Sequence, residues 1–193
     1  MKVLLLNSGG KDSLGAAMLL REHEVHSVYI DAGWPCREAA MVAAAEIASR
    51  YCASHDVAAM AIPNTLSPIP NHQTIAYQAQ VLHLVGASMA KGLGFDAVGS
   101  GQRPDAAERS FPDDLDRMLA SSRFFTPVQF VMPLWTLSQS DSEIAIKADP
   151  LWTKTVYCNC ATPCGVCGKC KQRAAWLARD MPEPHPRTGV IVR

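Results

Sequence analysis

The sequence predicts an α/β protein: a doubly wound, mostly parallel sheet of five strands, Rossmann-like, with a cysteine-rich zinc knuckle at its C-terminal end. Three observations carry that expectation. Short apolar or β-branched runs alternate with longer stretches whose apolar residues recur at helical spacing, the rhythm that builds parallel sheets. The first apolar run passes straight into a glycine-rich turn, NSGGKDSL at 7–14. Five of the seven cysteines fall within residues 158–170, a density that suits a metal rather than a disulfide framework.

KVLLLNS (2–8) is apolar without alternation, as a strand buried on both faces is. KDSLGAAMLLREH (11–23) follows as a helix, VHSVYIDAG (25–33) as a second strand, and the alanine-rich REAAMVAAAEIASRYCASH (37–55) as a long helix. VAAMAIPN (57–64) is a third strand that runs into a proline-containing loop ending at Pro70. TIAYQAQVLHLVGASMAKGLG (74–94) combines helical spacing with a glycine stop, and DAVGSGQ (96–102) is a fourth strand. PDDLDRMLASS (112–122) opens on proline with three acids in its first turns, which complements a helix dipole. VQFVMPL (128–134) is the fifth strand; SQSDSEIAIKAD (138–149) and KCKQRAAWLARD (169–180) are the last helices, and the stretch after Met181 is irregular. The boundaries place an α/β domain at 1–150 and the cysteine-rich segment with its helix at 151–193.

Lys+Arg and Asp+Glu balance at 18 each, and 48% of residues are hydrophobic. A protein gripping long nucleic acid by its phosphates usually has a basic excess, so nucleic acid is not the expected partner. From Lys154 onward, however, seven Lys/Arg face two acids, Asp180 and Glu183. No 18-residue apolar run is present and the N-terminus reaches its first turn too soon for a secretory leader, so no membrane is expected and the expected compartment is the cytoplasm.

In SGGKDS the glycines let backbone amides approach a phosphate, and the helix that starts there favours an anion at its N-terminus. Ser8 and Ser13 add hydroxyls and Lys11 a cation, while Asp12 caps the loop or helps hold Mg²⁺. A bare strand–helix turn is the alternative. Neither the Walker A pattern nor GxGxxG can be read across it. Asp31, at the end of the second strand, orients a ribose or Mg²⁺, or caps a turn. Arg103, Asp105 and Arg109 follow the fourth strand; they bind a carboxylate or a purine edge, or line a solvated loop. Cys36 is a packed thiol or a nucleophile near a helix start. His72 reads as a capping or surface residue, and Trp135, Trp152 and Trp176 as core or interface. Cys164, Cys167 and Cys170 form C-x2-C-x2-C and need a fourth ligand from Cys158 or Cys160. Four thiolates suit Zn²⁺; an iron–sulfur cluster or free thiols are the alternatives.

SGGKDS resembles the pyrophosphate loop of the PP-loop ATP pyrophosphatases. That resemblance implies an adenine nucleotide alpha hydrolase-like fold, ATP and Mg²⁺, and a nucleotide site at Asn7, Ser8, Gly9, Gly10, Lys11, Asp12, Ser13 and Leu14, with Lys11, Asp12 and Ser13 closest to catalysis. The cysteine segment, with CGVCGKCKQR at 164–173, is similar to the zinc knuckle of the 7-cyano-7-deazaguanine synthase family. It implies Cys158, Cys164, Cys167 and Cys170 as ligands of Zn²⁺. In such a ligase, ATP activates the carboxylate of a 7-deazapurine, ammonia adds, and a second activation leaves the nitrile of queuosine-type biosynthesis. A homodimer is implied by the same resemblance. Three segments depart from the pattern: AGWPCREA after the second strand, GQRPDAAERSFPDD after the fourth, and Gln139–Ser140 where a lysine is expected. These changes keep other readings open: a nucleobase or tRNA thiolase, a related enzyme adenylating another carboxylate, and a nucleotide-binding module without activity.

Overall fold

The computed structural model describes residues 1–61, 65–66, 73–74, 78–103, 117 and 128–178. Its main sheet has five parallel strands in the order β3-β2-β1-β6-β7. They are β1 (Lys2–Leu6), β2 (Glu24–Asp31), β3 (Ser54–Ala59), β6 (Ala97–Ser100) and β7 (Gln129–Val131). The helices are α1 (Lys11–Leu20), α2 (Arg37–Tyr51), α3 (Gln78–Leu93), α4 (Gln139–Lys147) and α5 (Gly168–Leu177), with a 3-10 turn at Pro150–Lys154.

β1 shows why its sequence does not alternate. Val3 and Leu5 join one buried cluster with Leu14, Leu20 and Ile47 of α1 and α2. Leu4, pointing the other way, joins a second cluster with Ala87 and Ala90 of α3 and Val98 of β6. Both faces of the central strand are therefore covered by helices. Each such leucine contributes about 1.5–3 kcal/mol by leaving water.

Several boundaries move. The third strand is Ser54–Ala59 rather than 57–64, because its ladder with β2 starts at His26↔Ser54 and draws polar residues into an edge strand. The second helix ends at Tyr51, where Cys52 turns extended, φ −121°. The third is described over Gln78–Leu93, and Thr74, its expected first residue, pairs with Thr65 in a strand instead. The fifth strand stops at Val131, since Trp135 N donates to Met132 O and turns the chain. A short antiparallel pair, β4 (Thr65–Leu66) and β5 (Gln73–Thr74), was not anticipated; two-residue strands leave no periodicity to read. Of the expected helix at 112–122 only Arg117 is described, and it is helical; His72, Asp105 and Arg109 lie outside the described residues. Among those described, no helix is long and apolar enough to cross a membrane.

The chain runs outward from β1 through β2 to β3, then returns to β6 on the other side of β1. The connections leaving β1 and β6 therefore diverge at their carboxyl ends. In open α/β sheets this is where a cleft forms.

Candidate active site

The cleft begins in the turn after β1. Gly9 has φ +71°, and a Cβ there would stand 2.4 Å from the Ala40 carbonyl oxygen of α2, so only glycine meets both conditions. Asn7, 2% exposed, is the brace beneath it. Its Oδ1 accepts from Gly9 N at 3.0 Å, while its Nδ2 donates to Ser27 Oγ at 3.0 Å and Ala44 O at 2.9 Å. Ser27 Oγ in turn lies 3.0 Å from His55 Nδ1. At the loop's far end Ser13 Oγ accepts from Ser8 N at 3.1 Å and sits 3.1 Å from Ser8 Oγ. No side chain caps α1, whose N-cap is Gly10, which leaves its first-turn amides to an anion. Leu14 has its side chain in the core, and its amide donates to Gly10 O at 3.1 Å.

β6 closes the other side. A Cβ on Gly101 would lie 2.2 Å from Asp12 O, so the chain after β6 touches the backbone of the first turn of α1. Asp12 Oδ1 meets Lys11 Nζ at 2.8 Å and Arg103 Nε at 2.7 Å. The Arg103 contact is charge pairing off the N–H direction. Arg103 Nε and Nη2 stay buried without a hydrogen-bond acceptor among the described residues.

A cavity of about 580 Å³ opens over this loop, within the range of small-ligand sites. Ser8, Asp12 and Ser13 form its floor, and Cys158, Asn159 and Lys169 its opposite edge. Tyr29, Trp34 and Cys36 make one wall; the Tyr29 hydroxyl and Trp34 Nε1 are buried and lack hydrogen-bond partners among the described residues. Burial pushes the Cys36 thiol above its ordinary pKa, so Cys36 sits there as a neutral thiol. Asp31 lines neither this cavity nor the second one beside it; its Oδ1 accepts from Gly33 N at 2.9 Å, capping a turn.

The cysteines resolve into four plus one. The sulfurs of Cys158, Cys164, Cys167 and Cys170 all lie within 4.8 Å of one another. Separations of 3.8 Å for Cys158–Cys164 and 3.9 Å for Cys158–Cys167 and Cys164–Cys170 match the edge of about 3.8 Å that a tetrahedron with Zn–S bonds near 2.3 Å requires. A cube of four irons and four sulfides would hold its thiolates much farther apart. Backbone amides support the donors: Cys160 N reaches Cys158 Sγ at 3.5 Å and Cys170 N reaches Cys167 Sγ at 3.4 Å. Cys160 is buried beside this group but outside it, and burial raises its thiol to about 12. Among the four, backbone amides of Cys167 and Val166 pull Cys164 down to about 6, whereas burial pushes Cys170 up to about 12. Metal binding must therefore release protons. The knuckle joins the loop through Val156 N, which donates to Gly9 O at 2.9 Å.

Sequence reasoning missed Gly101, Tyr29, Trp34 and Val156. Only Gly101 had a signal, the second glycine of VGSGQ at the end of a strand.

No protein-family model matches the chain, and no curated protein does. Among solved structures the fold is similar to that of "U34-tRNA thiolase NcsA from Methanococcus maripaludis with its [4Fe-4S] cluster", with 16% identity, coverage of 91% of this chain and 63% of that one, and a TM-score of 0.56. The chain thus spans less than two thirds of the thiolase's length. A predicted subunit of tRNA methyltransferase from Methanocaldococcus jannaschii aligns at 20% identity over 76% of each chain, with a TM-score of 0.47. At 16% identity, the likeness to the thiolase establishes a shared fold.

Proposed function

We propose that this chain is a PP-loop ATP pyrophosphatase that activates a substrate oxygen as an adenylate, and that its substrate is a 7-deazapurine carboxylate converted to a nitrile with ammonia. The observation that carries the proposal is the SGGKDS loop, braced at the switch point of the sheet and opening onto a cavity that reaches the four-thiolate site. The substrate carboxylate would attack the α-phosphorus of ATP and expel pyrophosphate. Ammonia would displace AMP to leave an amide, whose oxygen a second ATP activates before AMP and a proton depart.

The residues serve by position and charge. Loop amides and the hydroxyls of Ser8 and Ser13 would hold the β- and γ-phosphates. Lys11 and Arg103 would meet the charge that builds on the leaving group. Asp12 lines both cavities, with Glu143 a second carboxylate in the smaller one; with ATP phosphates Asp12 suits Mg²⁺, which takes one or two carboxylates alongside phosphate oxygens. Mg²⁺ would supply charge neutralisation. Zn²⁺ at Cys158, Cys164, Cys167 and Cys170 would hold the knuckle in shape.

A second reading, a nucleobase thiolase, is favoured by the place of Cys36 in the cavity wall and by the fold shared with the thiolase. The neutral state of the Cys36 thiol and the single-ion spacing of the cysteines count for the first. The deciding experiment supplies ATP, Mg²⁺, ammonium and 7-carboxy-7-deazaguanine and follows base and nucleotide by mass spectrometry. AMP with 7-cyano-7-deazaguanine is the expected result. AMP without the nitrile would discard the substrate; no ATP binding in equilibrium dialysis would discard the whole reading.

A further inference from the structure

The loop and the knuckle face each other across the larger cavity, and their charges are arranged differently. On the loop side Asp12 is the one Asp or Glu among the described lining residues, and Lys11 at 2.8 Å and Arg103 at 2.7 Å neutralise it. Neither of those cations lines this cavity. On the knuckle side the lining residues include Tyr157, Cys158, Asn159 and Lys169. Among the described residues no other Lys or Arg lines the cavity; Lys169 also borders a smaller chamber of about 260 Å³ beside the loop.

Two observations direct the Lys169 charge into the larger cavity. Its ammonium donates to the Asn159 amide oxygen at 3.2 Å, so a neutral group of the same knuckle holds it, and no carboxylate among the described residues pairs with it. Burial raises the Cys36 thiol and the Lys169 ammonium opposes that rise, so its charge acts on the wall that Tyr29, Trp34 and Cys36 form. The adjacent ligand Cys167 is served by the backbone amide of Cys170 instead. Lys169 is itself exposed, so a ligand can reach it. Tyr29, Trp34 and Tyr157 add aromatic lining to the same cavity, which suits a flat ring.

We infer that Lys169, held by Asn159, reads the acid group of the acceptor: it pairs with the carboxylate of a flat heteroaromatic acid on the knuckle side of the cavity, facing the phosphate loop. The inference rests on the proposed adenylation of a 7-deazapurine carboxylate and names the side chain that selects its charge. This role is separate from that of the loop, whose amides and hydroxyls take the ATP phosphates. It gives the knuckle a part beyond holding metal, because the metal fixes the backbone from which the selecting cation projects. The neutral amide of the same ring makes no such ion pair, so acid and amide are told apart at Lys169 Nζ.

The test is calorimetric titration of the metal-loaded full chain, with Mg²⁺ and α,β-methylene-ATP present, by 7-carboxy-7-deazaguanine and separately by its neutral amide. Lys169→Met is expected to weaken the acid about tenfold, the loss of one charged donor, with the amide, the nucleotide analogue and the metal content unchanged. Lys169→Arg should restore most of the affinity. Asn159→Asp sets a carboxylate against the same ammonium and should weaken the acid by a smaller factor; it carries the comparison should Lys169→Met lose metal. Equal acid affinity in wild type and variants, or an equal loss for acid and amide, would overturn the role of Lys169 and leave the parent reading intact. A wild type that binds the nucleotide analogue but not the acid would remove the substrate reading and this inference with it.

Discussion

The phosphate loop and the cysteine knuckle come from opposite ends of the sequence and meet at one cleft, yet different forces shape them. The loop is packed into place: Gly9 fits under Ala40, Gly101 closes on Asp12, and Asn7 ties the turn to β2 and α2. The hydrophobic core behind it does the organising. The knuckle has little core of its own. Its buried cluster is the cysteines themselves with Tyr157 beside them, and Val166 at its tip is exposed. A short segment like this needs an ion to offset its chain entropy. One half of the site is thus set by packing, and the other by four thiols whose spacing could hold a metal ion.

Removing the metal should break this contrast most visibly. Chelation, or Cys170→Ser, should strip a contribution of about 10 kcal/mol or more in apparent binding energy. Limited proteolysis should then cut within 157–168 while the sheet stays resistant, and metal analysis should find about one ion per chain before treatment. Cys160→Ser should leave that content unchanged. Because binding displaces protons from thiols such as that of Cys170, metal affinity should fall as pH falls. Uniform resistance after metal loss would show that the knuckle is packed like the loop.

Gly9→Ala attacks the packed half. The left-handed φ and the contact with Ala40 O should together cost about 2–4 kcal/mol in denaturant unfolding and abolish nucleotide binding. Metal content should be retained. Asn7→Ala should cost less, about 1–3 kcal/mol, because it orphans the Gly9 amide without adding a clash. ATP affinity should drop with it.

The smallest effect sharpens the comparison through pH. His55, joined to Asn7 through Ser27, has its pKa lowered from 6.5 by burial. The folded state therefore takes up this proton less readily than the unfolded chain. The stability tied to neutral His55 is present above pH 6.5 and is lost as pH falls through the folded value. His55→Asn should flatten the acid side of the stability curve of the metal-loaded protein, as read by thermal melting at stepped pH.

Much of this site could be read without coordinates, and particular residues show why. The SGGKDS turn announced itself because an anion-binding turn needs glycines at fixed places after a strand. C-x2-C-x2-C announced itself because a tight turn must present several thiolates to one ion. The fourth ligand could not be read from spacing: Cys158 and Cys160 are both within reach along the chain, and only their different positions in space separate them. Asp31 had two readings from sequence, a ribose or Mg²⁺ group and a turn cap, and its carboxylate accepts from Gly33 N in its own turn.

By itself, then, the sequence determined the parallel sheet, the helix-bearing glycine turn and the presence of a thiolate site. Local periodicity and ligand spacing are properties of neighbouring residues. Tertiary structure alone decided that Gly101 would close on Asp12, that Tyr29 and Trp34 would wall the cavity, and that Lys169 would stand between two chambers. Each of these joins residues far apart in the chain, and such contacts come from the order of strands and the packing of helices over them.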